Sequence, residues 1–209
     1  MLRIALLAAV IAALISSAVA PYDRAVWLAE VMPVFIALPL LLASARRFPL
    51  TSLCYLMIAV FALILILGGA HTYARVPLGF ALQEWFDLAR NPYDRIGHFF
   101  QGATPAIVAR ELLLRTSPLR PGKWLFVVVS LSCLGISAGY ELIEWLTAVL
   151  WADGSVAFLG TQGDVWDAQW DMFLALCGAV AAQLLFASLH DRQIGSLSST
   201  QTAGGVPRA

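Results

Sequence analysis

The stretch Trp124–Trp151, WLFVVVSLSCLGISAGYELIEWLTAVLW, decides the fold. It runs 28 residues without a Lys or Arg, and its only acids are Glu141 and Glu144. A helix of that length outspans the ~30 Å of a bilayer's hydrocarbon at about 1.5 Å per residue. Five further apolar segments can be drawn at Leu2–Ala20, Ala25–Ala45, Leu50–Gly69, Ile96–Leu114 and Trp170–Leu189. The whole chain is 60% hydrophobic and 12% charged, with mean hydropathy +0.80. A soluble domain is nearer half apolar and a quarter charged. The expected fold is therefore all-α: a polytopic transmembrane helical bundle of about six spans, whose first partner is the lipid bilayer.

The integral membrane domain is expected over residues 1–192. The Ser/Thr/Gly/Gln-rich stretch 193–209 reads as a disordered cytoplasmic tail. Formal net charge is zero, and there is no basic stripe or finger-like Cys/His spacing, which excludes nucleic acid as a partner. Cys54, Cys133 and Cys177 fall far apart inside apolar runs and read as small buried hydrophobes rather than disulfides or metal ligands. Residues 1–20 also imitate a signal peptide, with Arg3, an apolar core at Ile4–Ile15 and the small residues Ala18-Val19-Ala20. A first span is the preferred reading because the orientation count favours it.

That count places Arg3, Arg46, Arg47, Arg110, Arg115, Arg120, Lys123, Arg192 and Arg208 on one side, and Arg24, Arg75, Arg90 and Arg95 on the other. The richer side is cytoplasmic by the positive-inside rule, so both termini are expected there. Acids sort the opposite way. Asp23, Glu30, Glu84, Asp87, Asp94, Glu141, Glu144, Asp153, Asp164, Asp167 and Asp171 fall at the outer side, against Glu111 and Asp191 inside. Acids barely influence insertion, so this asymmetry points to a site. The fourth segment is the most polar, with His98, Gln101, Pro105, Arg110 and Glu111. It should face protein, with Pro105 as a kink point. The loop His71–Tyr93, with Trp85-Phe86-x-Leu88, suits an interfacial amphipathic turn.

Three motifs carry chemistry. In YDRIGHF (Tyr93–Phe99), Asp94 and His98 stand i, i+4 and share a helix face. That spacing suits a metal-ligand pair, a base with its orienter, or a plain buried hydrogen bond, and Asp94 also suits a helix N-terminus. In YELIEW (Tyr140–Trp145), Glu141 and Glu144 stand i, i+3 and need a metal, Arg95 or a shared proton between them, while Tyr140 and Trp145 suit the interfacial belt. In GDVWDAQWD (Gly163–Asp171), Asp164, Asp167 and Asp171 form an i, i+3, i+7 stripe of one helix. They read either as solvated, dipole-favoured acids or as ligands of a hard cation. Topology alone brings these motifs, with His71 after the third span, to one membrane level. His98, Asp94 and Glu144 are thus candidate catalytic residues. Glu141, Glu144, Asp164, Asp167 and Asp171 are candidate ligands of a divalent metal (Mg, Mn or Zn), with His71, Arg95 and Gln101 as further polar members.

The segments HTYARVPLG (His71–Gly79), NPYDRIGHFFQG (Asn91–Gly102), YELIEW (Tyr140–Trp145) and FLGTQGDVWDAQWDM (Phe158–Met172) resemble the YjdF-like family of uncharacterised bacterial inner-membrane proteins. The likeness covers a family-like core over 68–190. It implies an inner-membrane location and brings no substrate. A looser likeness is to VanZ-like membrane proteins, which carry an Asp-x-x-x-His-Phe motif matched by Asp94, His98 and Phe99, and an acid ending the next span, like Glu141 or Glu144. Their last span opens with Asp-x-x-x-Asn, where this chain has Asp167 and Asp171. That resemblance implies envelope or lipid-linked substrates by analogy alone. Three functions stay open: a metal-assisted enzyme on a lipid-linked or envelope substrate, a small proton- or cation-coupled transporter, and a scaffold without catalysis.

Overall fold

The computed structural model describes residues 1–150 and 161–203. The described residues form seven helices and no strand: α1 (Leu2–Val19), α2 (Arg24–Ser44), α3 (Ser52–His71), α4 (Pro77–Trp85), α5 (Tyr93–Thr116), α6 (Lys123–Leu150) and α7 (Asp167–Ala203). Five of them, α1, α2, α3, α6 and α7, are long and apolar enough to cross a bilayer. Helix α5 has 24 residues and is long enough too, but its charge sets it apart. The bundle is polytopic and all-helical, as its apolar runs predict.

Local chemistry sets the helix boundaries. Asp23 Oδ1 accepts from the amides of Ala25 and Val26 at 2.8 and 3.0 Å and opens α2. Thr51 Oγ1 accepts from Cys54 N at 3.3 Å and opens α3. Helix α3 stops where Thr72 turns left-handed (φ 55), and Tyr73 N donates back to Gly68 O at 2.8 Å, which satisfies an otherwise orphaned carbonyl. Pro77 starts α4 at the position where a missing N–H costs nothing. At α5 the N-cap position is Pro92, which offers no side-chain cap, and the residue before it, Asn91, turns the chain in with its Oδ1 accepting from Tyr93 N at 3.0 Å. Asp94 lies in the first turn and is not the cap.

Helices α1 and α2 both pack on α3, α3 packs on α5, and α5 packs on α6 and α7, which also meet each other. Helix α5 is thus the central element, and twelve of its residues are buried, including Asp94, His98, Gln101, Arg110 and Glu111. Its polarity is directed at protein, as the sequence requires. The α5–α7 crossing is backbone on backbone. A Cβ on Gly102 would lie 1.7 Å from Ala175 O, and one on Gly178 would lie 1.9 Å from Phe99 O. Small residues at such crossings let membrane helices approach closely where no hydrophobic drive exists between them. Helix α1 is tied in by Arg3, whose Nη2 donates to Leu50 O at 3.1 Å, and by Ser17 Oγ, which accepts from Trp27 Nε1 at 3.0 Å.

Two expectations are corrected. The region from residue 193, read as disordered, continues α7 to Ala203; residues 204–209 lie outside the described residues. Asp164 does not belong to the helical stripe of Asp167 and Asp171, because α7 begins at Asp167 and Asp164 sits in the preceding turn, its Oδ1 accepting from Trp166 N at 2.9 Å. Asp153 lies outside the described residues.

Polar groups gather at the two ends of the central helix. His98 and Glu111 are thirteen residues apart on α5, or about 20 Å along the axis. Between them lies a mainly apolar layer in which Ala103, Ala106 and Ile107 meet Met57, Val129, Cys133, Ala179 and Ala182, with Thr104, Ser130 and Gln183 buried beside them as uncharged polar groups.

Candidate functional site

At the Asp94 end of the bundle, α5, α6 and α7 bring their acids around one histidine. The His98 ring is 6% exposed. Its Nδ1 lies 2.9 Å from Gln101 Oε1, so Nδ1–H donates and the other ring nitrogen, Nε2, turns toward the acids. That Nε2 faces Asp94 Oδ1 at 3.6 Å and Asp171 Oδ2 at 3.8 Å. Both separations are too long for hydrogen bonds. They suit three donors disposed around a common cation or proton. Asp171 Oδ1 and Glu141 Oε1 are buried with no hydrogen-bond partner, and Glu141 Oε1 stands 3.8 Å from His98 Nδ1. Buried oxygens of this kind are rare in folded proteins and each calls for a partner.

A second layer is organised by Arg90. Its Nη1 donates to Thr161 O at 2.8 Å and to Asp167 Oδ1, and its Nη2 reaches Asp94 Oδ2 at 3.4 Å. Arg95 Nη2 donates to Asp164 Oδ2 at 2.9 Å and stacks its guanidinium 5.8 Å from the Trp170 ring. Asp164 and Asp167 are thereby occupied by arginines, while Asp94, His98 and Asp171 converge. The loop beneath is locked by Asn91, which donates to Val76 O at 3.1 Å, and by Gln162, which bonds both Asn91 N and Asn91 O.

A cavity of about 170 Å³ runs from this cluster along α5 and α6 as far as Pro105 and Ile136. Asp94, His98, Gln101 and Glu144 line its polar end, with Glu30 and Tyr140 beside them. Pro33, Phe61, Leu65, Pro105 and Ile136 form the apolar remainder. Glu144 and Ile136 are eight residues apart on α6, so the cavity extends about 12 Å along that helix. Helices α2 and α6 both line it without a packed seam between them, bridged where Tyr140 Oη donates to Glu30 Oε2 at 3.3 Å. Ile136, 49% exposed, forms the rim.

The sequence-predicted residues therefore divide. His98, Asp94, Gln101, Glu141, Glu144 and Asp171 come together, and Asp167 supports them through Arg90. Arg95 and Asp164 pair at the edge. His71, at the end of α3, does not line the cavity. Sequence reading missed Glu30, Arg90 and Tyr73, the last also lining the cavity. The signal for Glu30 was present, since it is a lone acid inside an apolar run.

Residues 2–192 match the model of the family described as "Predicted membrane protein (DUF2238)". The chain belongs to this family. It is also 52% identical over 181 residues to "Inner membrane protein YjdF" of Escherichia coli (strain K12), covering 87% of each chain. No solved structure matches it. The family places the protein among multi-pass inner-membrane proteins, in agreement with its helices, and its printed description assigns no reaction.

Proposed function

We propose that the protein is an integral-membrane enzyme that admits a lipid-linked substrate between α2 and α6 and acts on its head group with help from a divalent cation. Asp94, His98 and Asp171 hold the cation, in line with their three donor atoms lying within 4.8 Å of one another. Carboxylate oxygens with one imidazole suit Mg²⁺, Mn²⁺ or Zn²⁺. Glu144, at the cavity's polar end, carries the proton of the reacting group, and Glu141 balances the cation's charge from the His98 side. Arg90 holds Asp94 and Asp167 in register. Both termini are cytoplasmic and the acidic end faces outward, following the Lys/Arg asymmetry.

The observation that carries the reading is the cavity itself: one compartment has carboxylates and a histidine at its boundary end and apolar walls toward the bilayer middle. A soluble substrate has no use for the apolar extension, whereas a lipid tail does. The transport reading fares worse because a polar route across the bundle meets the Ala103–Ile107 layer.

The test is elemental analysis of detergent-purified protein beside Glu144→Gln and Asp171→Asn, followed by turnover in nanodiscs of phosphodiester-, diphosphate- and carboxyl-ester-linked lipids. The expected result is about one cation per chain in wild type, lost in Asp171→Asn, and lipid cleavage lost in both variants. An absence of bound cation after resupply with Mg²⁺, Mn²⁺ and Zn²⁺ overturns the proposal. So does cleavage that survives in Glu144→Gln.

A further inference from the structure

A second chemistry-bearing cluster lies at the opposite end of α5, away from the cavity. Cys54 on α3, Glu111 on α5 and His190 on α7 are each 0% exposed. Glu111 Oε2 stands 3.0 Å from Cys54 Sγ and 3.0 Å from His190 Nε2, and Cys54 Sγ stands 3.7 Å from His190 Nε2. Three donor types from three helices thus meet at one point. Donors around a tetrahedral Zn²⁺, with bonds of about 2.3 Å to sulfur and 2.0–2.2 Å to nitrogen and oxygen, are separated by about 3.3–3.6 Å. The observed S···N and N···O edges lie within about 0.4 Å of those values, and the 3.0 Å S···O edge would open by about 0.6 Å on ligation.

We infer that Cys54, Glu111 and His190 form a binding site for a zinc-class cation, distinct from the Asp94 cluster. The donors select the ion: thiolate and imidazole favour Zn²⁺ over Mg²⁺ and Ca²⁺, which take oxygen. A thiolate and a carboxylate together match the charge of a divalent ion, with the carboxylate also paired to Arg115 at 2.6 Å. The second shell is in place. Thr51 Oγ1 donates to Glu111 Oε2 at 2.7 Å, and Arg115 Nη1 to Glu111 Oε1 at 2.6 Å, so the carboxylate is fixed in orientation.

Metal-free, the cluster is closed by hydrogen bonds. Arg110 Nη1 donates to His190 Nδ1 at 3.4 Å, which leaves the ring proton on Nε2 and directed at Glu111. Ligation moves that proton to Nδ1, releases the Cys54 thiol proton to solvent, and leaves Arg110 to Asp191, its closer partner at 2.8 Å. Bound ion would tie α3, α5 and α7 together at this end. Because protons compete for Sγ and Nε2, its affinity falls as pH falls.

Cobalt separates this site from the carboxylate site, because only a thiolate gives Co²⁺ an intense near-ultraviolet charge-transfer band. Wild-type protein in detergent, titrated with Co²⁺, should show that band. Asp171→Asn should keep it and Cys54→Ser should lose it. X-ray absorption at the zinc edge of zinc-loaded wild type needs no variant and should show a sulfur scatterer at about 2.3 Å. A wild-type protein with no band and no sulfur scatterer overturns the assignment, whatever the stability of the variants. A band that persists in Cys54→Ser does the same. Because sulfur is read directly, failure here leaves the enzyme reading intact, and loss of the cation at Asp171 leaves this one intact.

Discussion

Replacing Gly178 by Ala tests the crossing on which both polar clusters depend. The added Cβ would lie 1.9 Å from Phe99 O, 2.9 Å from Phe99 C and 3.0 Å from Ala103 N. All three are backbone atoms of α5, so no rotamer change relieves the clash. Ordinary contact begins near 3.4 Å, and α5 and α7 must therefore separate by about 1.5 Å. Overpacking costs about 1–3 kcal/mol, and a collision with backbone belongs at the upper end. For a chain of this size ~3 kcal/mol lowers Tm by roughly 6–12 °C. Separation also stretches His98–Asp171, so cation content should fall with stability. The control is Gly139→Ala on α6, where a Cβ meets nothing within 4 Å. There the exchange should stabilise by about 0.4–1 kcal/mol through the unfolded chain. Thermal unfolding of both variants in one detergent, followed by tryptophan fluorescence, gives the comparison. If Gly178→Ala and Gly139→Ala shift Tm alike, the close α5–α7 approach is refuted.

Further outcomes follow from the same geometry. Arg90→Ala strips a partner from Asp94, Asp164 and Asp167 and should cost about 3–5 kcal/mol, against 1 kcal/mol or so for the more exposed Arg95→Ala, read by the same melting assay. Ile136→Trp fills the cavity's apolar mouth; it should abolish co-purified lipid by mass spectrometry while leaving bound cation unchanged. Asn91→Ala removes buried bonds to Val76 O and Tyr93 N and should destabilise by about 2 kcal/mol, with faster hydrogen exchange at the start of α5.

The spans were legible because bilayer crossing imposes length and apolarity: all six apolar runs became helices, five of them matched within a few residues at both ends, while α7 runs on from Leu189 to Ala203. The polar fourth segment read correctly as protein-facing for the same reason: hydrocarbon penalises His98 and Arg110 unless neighbours satisfy them. The convergence of Asp94, His98, Glu144 and Asp171 followed from helix ends sharing a level. Pairing within that level was not legible. Nothing in the spacing of Asp164, Asp167 and Asp171 reveals that Arg95 and Arg90 would take the first two, because that depends on how a loop folds back. Cys54 read as a small hydrophobe since its neighbours in sequence are apolar. Its neighbours in space, Glu111 and His190, lie 57 and 136 residues away.

The apolar layer across the middle of α5 also has an electrical consequence. Polar groups reach in from both ends, so a membrane potential is expected to fall chiefly across the mainly apolar layer of Ala103, Ala106 and Ile107 and their partners. Each cluster then sits close to the potential of its own compartment. A cation entering the Asp94 cluster from that side traverses little of the field, and its affinity should hardly respond to voltage. An ion driven through the layer would feel about 2.3 kcal/mol per charge for each 100 mV. The two ends of this protein are joined mechanically by α5, which carries His98 and Glu111, and by α7, which carries Asp171 and His190, yet they are separated as circuits.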